Sequence, residues 1–246
     1  MQLTARVHLV GSGRLGFDLT NPYDCHVYLV DGGAELALID AGVGLATEAI
    51  LANVAAAGFD LGRLRTVVLT HAHADHAGGA AGVRARTGAQ VVTPRAAAPW
   101  IEAGDEAAIS LDVARRAGTY PADYRFAACP VARGVVAGDA ITVGDMTLRV
   151  LDTPGHCDPH CAYVIEGDDR GGVFAGDAVF HGGRVLFLNI PGGSIQALAA
   201  SMAKLDRLQA DALFPGHGLI SVQRGWEHVR RAADAFARLA IPPSLL

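Results

Sequence analysis

The sequence predicts a layered α/β protein, on three observations. Short β-branched or apolar runs alternate with segments of helical spacing through most of the chain. At 246 residues and 51% hydrophobic, the chain is long enough for one large domain with a sizeable core. It nevertheless has no uninterrupted apolar stretch of membrane-spanning length.

Taken in order, the elements begin with strands at 5–10, 25–30 and 35–40, the first followed by the glycine-rich loop 11–16. Asp31-Gly32-Gly33 between two strand-like runs is a hairpin signal. Residues 47–57 carry apolar side chains at helical spacing with Gly58 just beyond, which predicts a helix with a glycine cap. A strand at 66–69, a ligand-rich loop, a helix at 77–87 and a strand at 90–93 follow. Later strands are expected at 140–143, 146–151, 161–166 and 173–175, with turns at Val143-Gly144-Asp145 and Glu166-Gly167-Asp168-Asp169. Helices are expected at 194–208 and 222–239, the latter amphipathic and read as a packing helix. The stretch 94–130, with Pro94, Pro99, Pro121 and Pro130 framing a helical-looking 105–117, reads as an excursion from a single domain spanning 1–246.

A net charge of −5 provides no basic field for a polyanion, so nucleic acid is not an expected partner. The N-terminus lacks a basic segment followed by a long apolar one, so the expected location is the cytoplasm, with no membrane partner expected. Cys25, Cys129, Cys157 and Cys161 form no CxxC pair and read as buried free thiols, with Cys157 next to a candidate ligand.

The most informative segment is His71-Ala72-His73-Ala74-Asp75-His76, four metal-ligand side chains in six positions directly after Thr66-Val67-Val68-Leu69 and Thr70. Imidazole and carboxylate suit zinc, iron and manganese, and so dense a group is hard to justify as packing. Three further candidates stand where strands give way to loops, each preceded by glycine: His156, Asp177 and His217. Glycine lets the backbone turn sharply and bring the next side chain toward a shared centre. Singly, each would read as a residue satisfied by ordinary hydrogen bonds. Together with the 71–76 group they read as one ligand set.

The ordered set Asp40, His71-x-His73-x-Asp75-His76, His156, Asp177 and His217 resembles the five motifs of the metallo-β-lactamase superfamily, over about residues 25–220. The resemblance implies a four-layer αββα sandwich. It also implies two divalent ions, zinc first and iron or manganese as alternatives. One would be held by His71, His73 and His156, the other by Asp75, His76 and His217, with Asp177 bridging. Three neutral imidazoles leave an open position, as a catalytic metal requires. Two ions sharing a water lower its pKa and polarise a substrate oxygen. Asp75 then orients the nucleophile or passes its proton on. Asp40 would hydrogen-bond a ligand imidazole and fix its tautomer, or be a turn aspartate before Gly42. His160 resembles a supporting position in related hydrolases, or is a core histidine.

Within the superfamily, the classical zinc β-lactamases carry cysteine at the position of Asp177, the flavodiiron branch has glutamate at that of His73, and nuclease branches add domains or RNA-binding segments. Glyoxalase II matches the ligand set but continues well past its last ligand histidine. Lactonases and small-ester hydrolases share both ligands and an excursion. In the excursion, Trp100, Tyr120 and Tyr124, with Phe126, either form a lid over an apolar pocket or anchor the segment to its own scaffold. His181, Arg184 and Asn189 are candidate substrate contacts in the run after Asp177.

The expected function is therefore a dinuclear hydrolase whose metal-bridging hydroxide attacks the carbonyl of a small ester, lactone or thioester. The alternative is a persulfide dioxygenase with one iron on His71, His156 and Asp177. A β-lactamase, a phosphodiesterase and a non-catalytic metal scaffold rank lower. The expected partner is a small-molecule substrate, and a homodimer is allowed.

Overall fold

Six strands pair in the order in which the chain lays them down: β1 (Val7–Gly11), β2 (Val27–Asp31), β3 (Leu36–Ile39), β4 (Leu64–Val68), β5 (Gln90–Pro94) and β6 (Arg133–Val135). The β1–β2 and β2–β3 pairs are antiparallel, whereas β3, β4, β5 and β6 run parallel. Helix α1 (Thr47–Ala56) crosses from β3 to β4, and α2 (Ala74–Ala77) with α3 (Ala80–Thr87) crosses from β4 to β5. Parallel neighbours need such crossovers. Strands β2 and β3 are buried on both faces apart from the half-exposed Asp31, which is why they read as continuous apolar runs and not as alternating ones. Leu29, Leu38 and Val67 of the sheet share one core with Ile50 and Val54 of α1 and Val83 of α3. Fully burying each such side chain contributes about 1.5–3 kcal/mol.

A second sheet has the order β11-β10-β9-β8-β7, formed by β7 (Ala140–Val143), β8 (Met146–Asp152), β9 (Cys161–Glu166), β10 (Gly172–Gly176) and β11 (Ala212–Pro215). The β7–β8, β8–β9 and β9–β10 pairs are antiparallel, and β10–β11 is parallel. Helix α6 (Ile195–Asp206), capped by Ser194 Oγ accepting from Ala197 N, packs Leu198, Met202 and Leu205 at helical spacing into the core beside this sheet. Helix α7 (Trp226–Ala237) adds Val229 and Ala232.

The computed structural model describes residues 1–166 and 171–246, which fall into two compact units, Met1–Val135 and Val136–Leu246. The turn expected at 166–169 lies, beyond Glu166, outside the described residues. No helix among the described residues is long and apolar enough to cross a membrane.

The strand and helix expectations agree with the structure to within a few residues, with three differences. The helix expected at 77–87 is two pieces, α2 and α3, joined at Gly78 and Gly79. A Cβ at Gly79 would lie 2.0 Å from Ala41 O, and one at Gly78 would lie 2.4 Å from Val43 O, so glycine there is a condition of close approach. The helix expected at 105–117 is reduced to α5 (Leu111–Arg116), preceded in the excursion by α4 (Ala98–Ala103). Ser110 has φ +57, and Asp105 Oδ1 accepts from Ala107 N and Ala108 N in a local turn that competes with helix. Strand β6 is not predicted by the sequence; three residues with glycine at the centre carry too short a pattern to read.

Candidate metal-ligand sets

In the first unit the ligands stand at the C-terminal edge of the parallel strands, where loops gather in open α/β sheets. Strand β3 ends at Ile39 and delivers Asp40; its parallel neighbour β4 ends at Val68 and leads through Leu69 and Thr70 to His71. Asp40 adopts φ +59, a left-handed conformation that aspartate tolerates better than most residues. This turns its carboxylate back onto the neighbouring loop. Asp40 Oδ1 accepts from Thr70 N at 2.8 Å, and Oδ2 accepts from Thr70 Oγ1 at 2.9 Å and from His76 Nδ1 at 2.8 Å.

These bonds decide tautomers. Because the Thr70 hydroxyl spends its hydrogen on Asp40, Thr70 Oγ1 accepts from His71 Nδ1 at 2.9 Å. His71 and His76 therefore both carry the proton on Nδ1, and Nε2 is the donor atom each can offer a metal. His71 Nε2 lies 3.0 Å from His73 Nδ1, and His76 Nε2 lies 3.7 Å from Asp75 Oδ2. His71 and His76 are buried, while His73 and Asp75 are partly open.

The excursion sends a side chain into this group. Tyr120 Oη donates to Asp75 Oδ1 at 2.9 Å. Burial, and then the adjacent Asp75 charge, push the Tyr120 phenol well above its ordinary range and keep it a donor. Tyr124 stacks on Tyr120 with centroids 5.5 Å apart and donates its own hydroxyl to Val43 O at 2.8 Å. Tyr124 and Phe126 belong to the core of this unit, with Trp100 and Tyr120 packed against it. These rings thus pack the excursion against the core of this unit. Cys25 sits by Asp40 and His76 in a third buried group. Burial pushes its thiol up to about 12, and His76 Nδ1 is committed to Asp40, so this trio reads as packing behind the ligands.

In the second unit β8 and β10 run in the same direction, being separated by one antiparallel strand, and β11 is parallel to β10. All three therefore end at one edge of the sheet. That edge carries Thr153-Pro154-Gly155-His156 after β8, Asp177 after β10 and Gly216-His217 after β11. Gly155, at φ +134, lets the chain pass where a Cβ would be 2.4 Å from Leu198 Cα in α6.

His156 Nδ1 donates to Leu186 O at 2.8 Å, which leaves Nε2 as its ligand atom, 3.6 Å from Asp177 Oδ2. His217 Nε2 is 3.5 Å from that same oxygen. His160 Nε2 accepts from Asp177 N at 3.1 Å, so Nδ1 bears the proton and donates to Thr153 Oγ1 at 2.8 Å. His160 thus holds the backbone from which Asp177 projects. His156, His160, Asp177 and His217 are all buried.

The remaining expected contacts lie in the run after β10. His181 packs its ring 4.1 Å from that of His228, Arg184 Nη1 donates to Ser244 O at 2.7 Å, and Asn189 is exposed. Trp100 is half-buried in the first unit. Cys157 is a buried thiol donating to Pro159 O, and burial pushes the Cys161 thiol up to about 12.

Sequence reasoning did not single out Thr70, Thr153 or the Leu186 carbonyl. The first two were discoverable, since each hydroxyl stands within two residues of a strand end and shortly precedes a candidate ligand histidine. A backbone carbonyl has no sequence signal.

The profile of the metallo-beta-lactamase superfamily matches residues 20–217, and the chain belongs to that superfamily. A hydroxyacylglutathione hydrolase of Polaromonas sp. is 33% identical over 183 residues, covering 73% of this chain and 58% of the relative. An atrochrysone carboxyl ACP thioesterase of Aspergillus fumigatus is 27% identical, covering 79% of this chain and 51% of the relative. The chain thus spans about half the length of the curated relatives it matches. Among solved structures, a metallo-beta-lactamase of Cronobacter sakazakii with a HARLDQ motif aligns over 97% of this chain and 96% of its own, with a TM-score of 0.74 at 20% identity. The mixed α/β chain with its two sheets has the metallo-beta-lactamase fold.

Proposed function

We propose that the chain is a metal-dependent hydrolase whose two ligand sets together hold two divalent ions, zinc first among the candidates, and that it cleaves small thioesters, with esters and lactones as lesser substrates. The observation that carries this reading is the preset state of the imidazoles. His71, His76 and His156 each donate Nδ1–H to a fixed acceptor and so present Nε2 as a lone pair. Nε2 of His156 and Nε2 of His217 lie 3.6 Å and 3.5 Å from one carboxylate oxygen of Asp177. Neutral imidazole edges and a carboxylate gathered in a buried place suit a cation, and the donor set suits zinc, iron or manganese.

By the family pattern, His71, His73 and His156 would hold one ion, Asp75, His76 and His217 the other, and Asp177 would bridge them. When bound, such a pair acidifies water and polarises a carbonyl oxygen. The protein's own contribution is then orientation. Asp40, through Thr70 and directly, keeps two ligand rings in register, and His160 does the same for the Asp177 backbone. Asp75 would orient the attacking water and take its proton, then return it to the leaving sulfur as the C–S bond breaks and the C–O bond forms.

Thioesters come first because two relatives bear names that denote acyl–sulfur chemistry, a hydroxyacylglutathione hydrolase and an ACP thioesterase. The proposed partner is accordingly a small acyl thiol ester. The test is a panel of thioesters, lactones, aryl esters, β-lactams and phosphodiesters offered to one zinc-loaded preparation, beside the His71→Ala/His73→Ala double variant. Thioester turnover abolished in the variant is expected. Unchanged metal content and hydrolysis in that variant would end the reading.

A further inference from the structure

Asp75, in the first ligand set, receives a side chain from the excursion: Tyr120, 45 positions along the chain, donates Oη to its Oδ1 at 2.9 Å. The other carboxylate oxygen, Oδ2, is the one that faces His76 Nε2, at 3.7 Å. We propose that Tyr120 is a positioning residue for Asp75: by holding Oδ1 it turns Oδ2 toward the ion shared with His76, so the 94–130 excursion sets the affinity of the second metal position. This inference rests on the two-metal reading given above.

The hydroxyl is held firmly enough for such a role. The Tyr120 ring is stacked at 29° on Tyr124 and flanked by Tyr23 at 5.9 Å. Tyr124 is itself tied through Val43 O to the loop that follows Asp40. The chain around the pair is anchored on both sides: Ile101, Ile109, Leu111, Phe126 and Cys129 enter the core of the unit. Glu106 pairs with Arg115 and also accepts from Phe126 N, closing the excursion on itself. Tyr120 is therefore presented by a packed scaffold and not by a free loop.

A carboxylate with both oxygens available can rotate or chelate through either. One whose Oδ1 receives a fixed O–H is restricted to binding through the other oxygen, in one orientation. Partners of this kind typically change metal affinity by about 10–100-fold when removed. The first metal position, by the assignment above, does not use Asp75, so its affinity should be indifferent to Tyr120.

The experiment is a zinc titration of the metal-free chain in competition with a chromophoric chelator, which reads the two equivalents separately and needs no turnover. Tyr120→Phe keeps the stacked ring and removes only the donor. It should weaken the second equivalent by about tenfold or more and leave the first within about twofold. Tyr120→His, which keeps a ring donor, should recover part of that loss. Tyr124→Phe is the control: it also deletes one hydroxyl, but one bonded to a backbone carbonyl, so it should lower the thermal midpoint and leave both equivalents unchanged. Wild type binding two zinc ions with Tyr120→Phe doing so equally tightly overturns the inference alone. A wild-type chain that takes up fewer than two overturns the two-metal reading beneath it.

Discussion

Asp40 Oδ2 accepts from His76 Nδ1 at 2.8 Å, and through this contact a buried carboxylate decides which nitrogen a candidate ligand histidine can offer a metal. The same carboxylate reaches a second ligand indirectly, because Thr70 Oγ1 donates to Asp40 and accepts from His71 Nδ1. One carboxylate thus sets two tautomers. Its own placement depends on the left-handed turn at φ +59 and on the parallel pairing of β3 with β4.

Thr70→Val, nearly isosteric, should break the relay to His71 while leaving the direct bond to His76. Zinc affinity should fall about 10–100-fold, with hydrolysis falling in parallel at limiting zinc and recovering at excess. Chelator competition on the two proteins checks this.

Gly79→Ala should act on stability before function. The new Cβ would sit 2.0 Å from the Ala41 carbonyl, a backbone atom that cannot swing aside. A loss of about 2–3 kcal/mol is expected in denaturant unfolding. Gly88→Ala, at φ +74 but with open space around it, should be strained only by the backbone and cost about 1 kcal/mol.

Ser221 Oγ lies 2.6 Å from His228 Nε2, a spacing that resembles a nucleophile and its base. The tautomer excludes that role: His228 Nδ1 accepts from Gly182 N at 3.0 Å, so Nε2 bears the proton and donates to the serine. Ser221→Ala should leave thioester turnover within about twofold and cost about 1 kcal/mol of stability. Loss of turnover would instead place a covalent intermediate on Ser221.

His228 also predicts a pH response. Burial, and then His181 and Arg231, lower its pKa below the ordinary 6.5. Protonation would further place a hydrogen on Nδ1 against the Gly182 N–H. The unfolded chain therefore binds this proton first as pH falls. The folded state loses stability from about 6.5 downward, until the lowered folded pKa is passed, and gains nothing from this group above that value. In metal-free protein, the fall in thermal midpoint between about pH 7.5 and about pH 5.5 should be smaller for His228→Gln than for wild type.

How much was legible in advance follows from sequence distance. The group 71–76 is local, and its alternation of ligand types is visible in any reading of the chain. His156, Asp177 and His217 were legible because each follows a glycine at a strand end, and the sheet pairing brings those three ends to one edge. The Tyr120–Asp75 bond was not legible. It joins residues 45 apart through a segment whose fold is set by Ser110 and the Glu106–Arg115 pair, neither of which carries periodicity. The sequence leaves Tyr120 as either a lid residue or an anchor; the fold gives it a carboxylate partner, Asp75.

The number and kind of ions held by the seven proposed ligands test the two-metal reading most directly. Elemental analysis of the chain purified without added metal, and again after zinc loading, is the direct measurement. Two zinc ions per chain are predicted, falling to one or none in the His71→Ala/His73→Ala variant. A single iron per chain, with oxygen consumed in the presence of glutathione persulfide and no thioester cleaved, would contradict it.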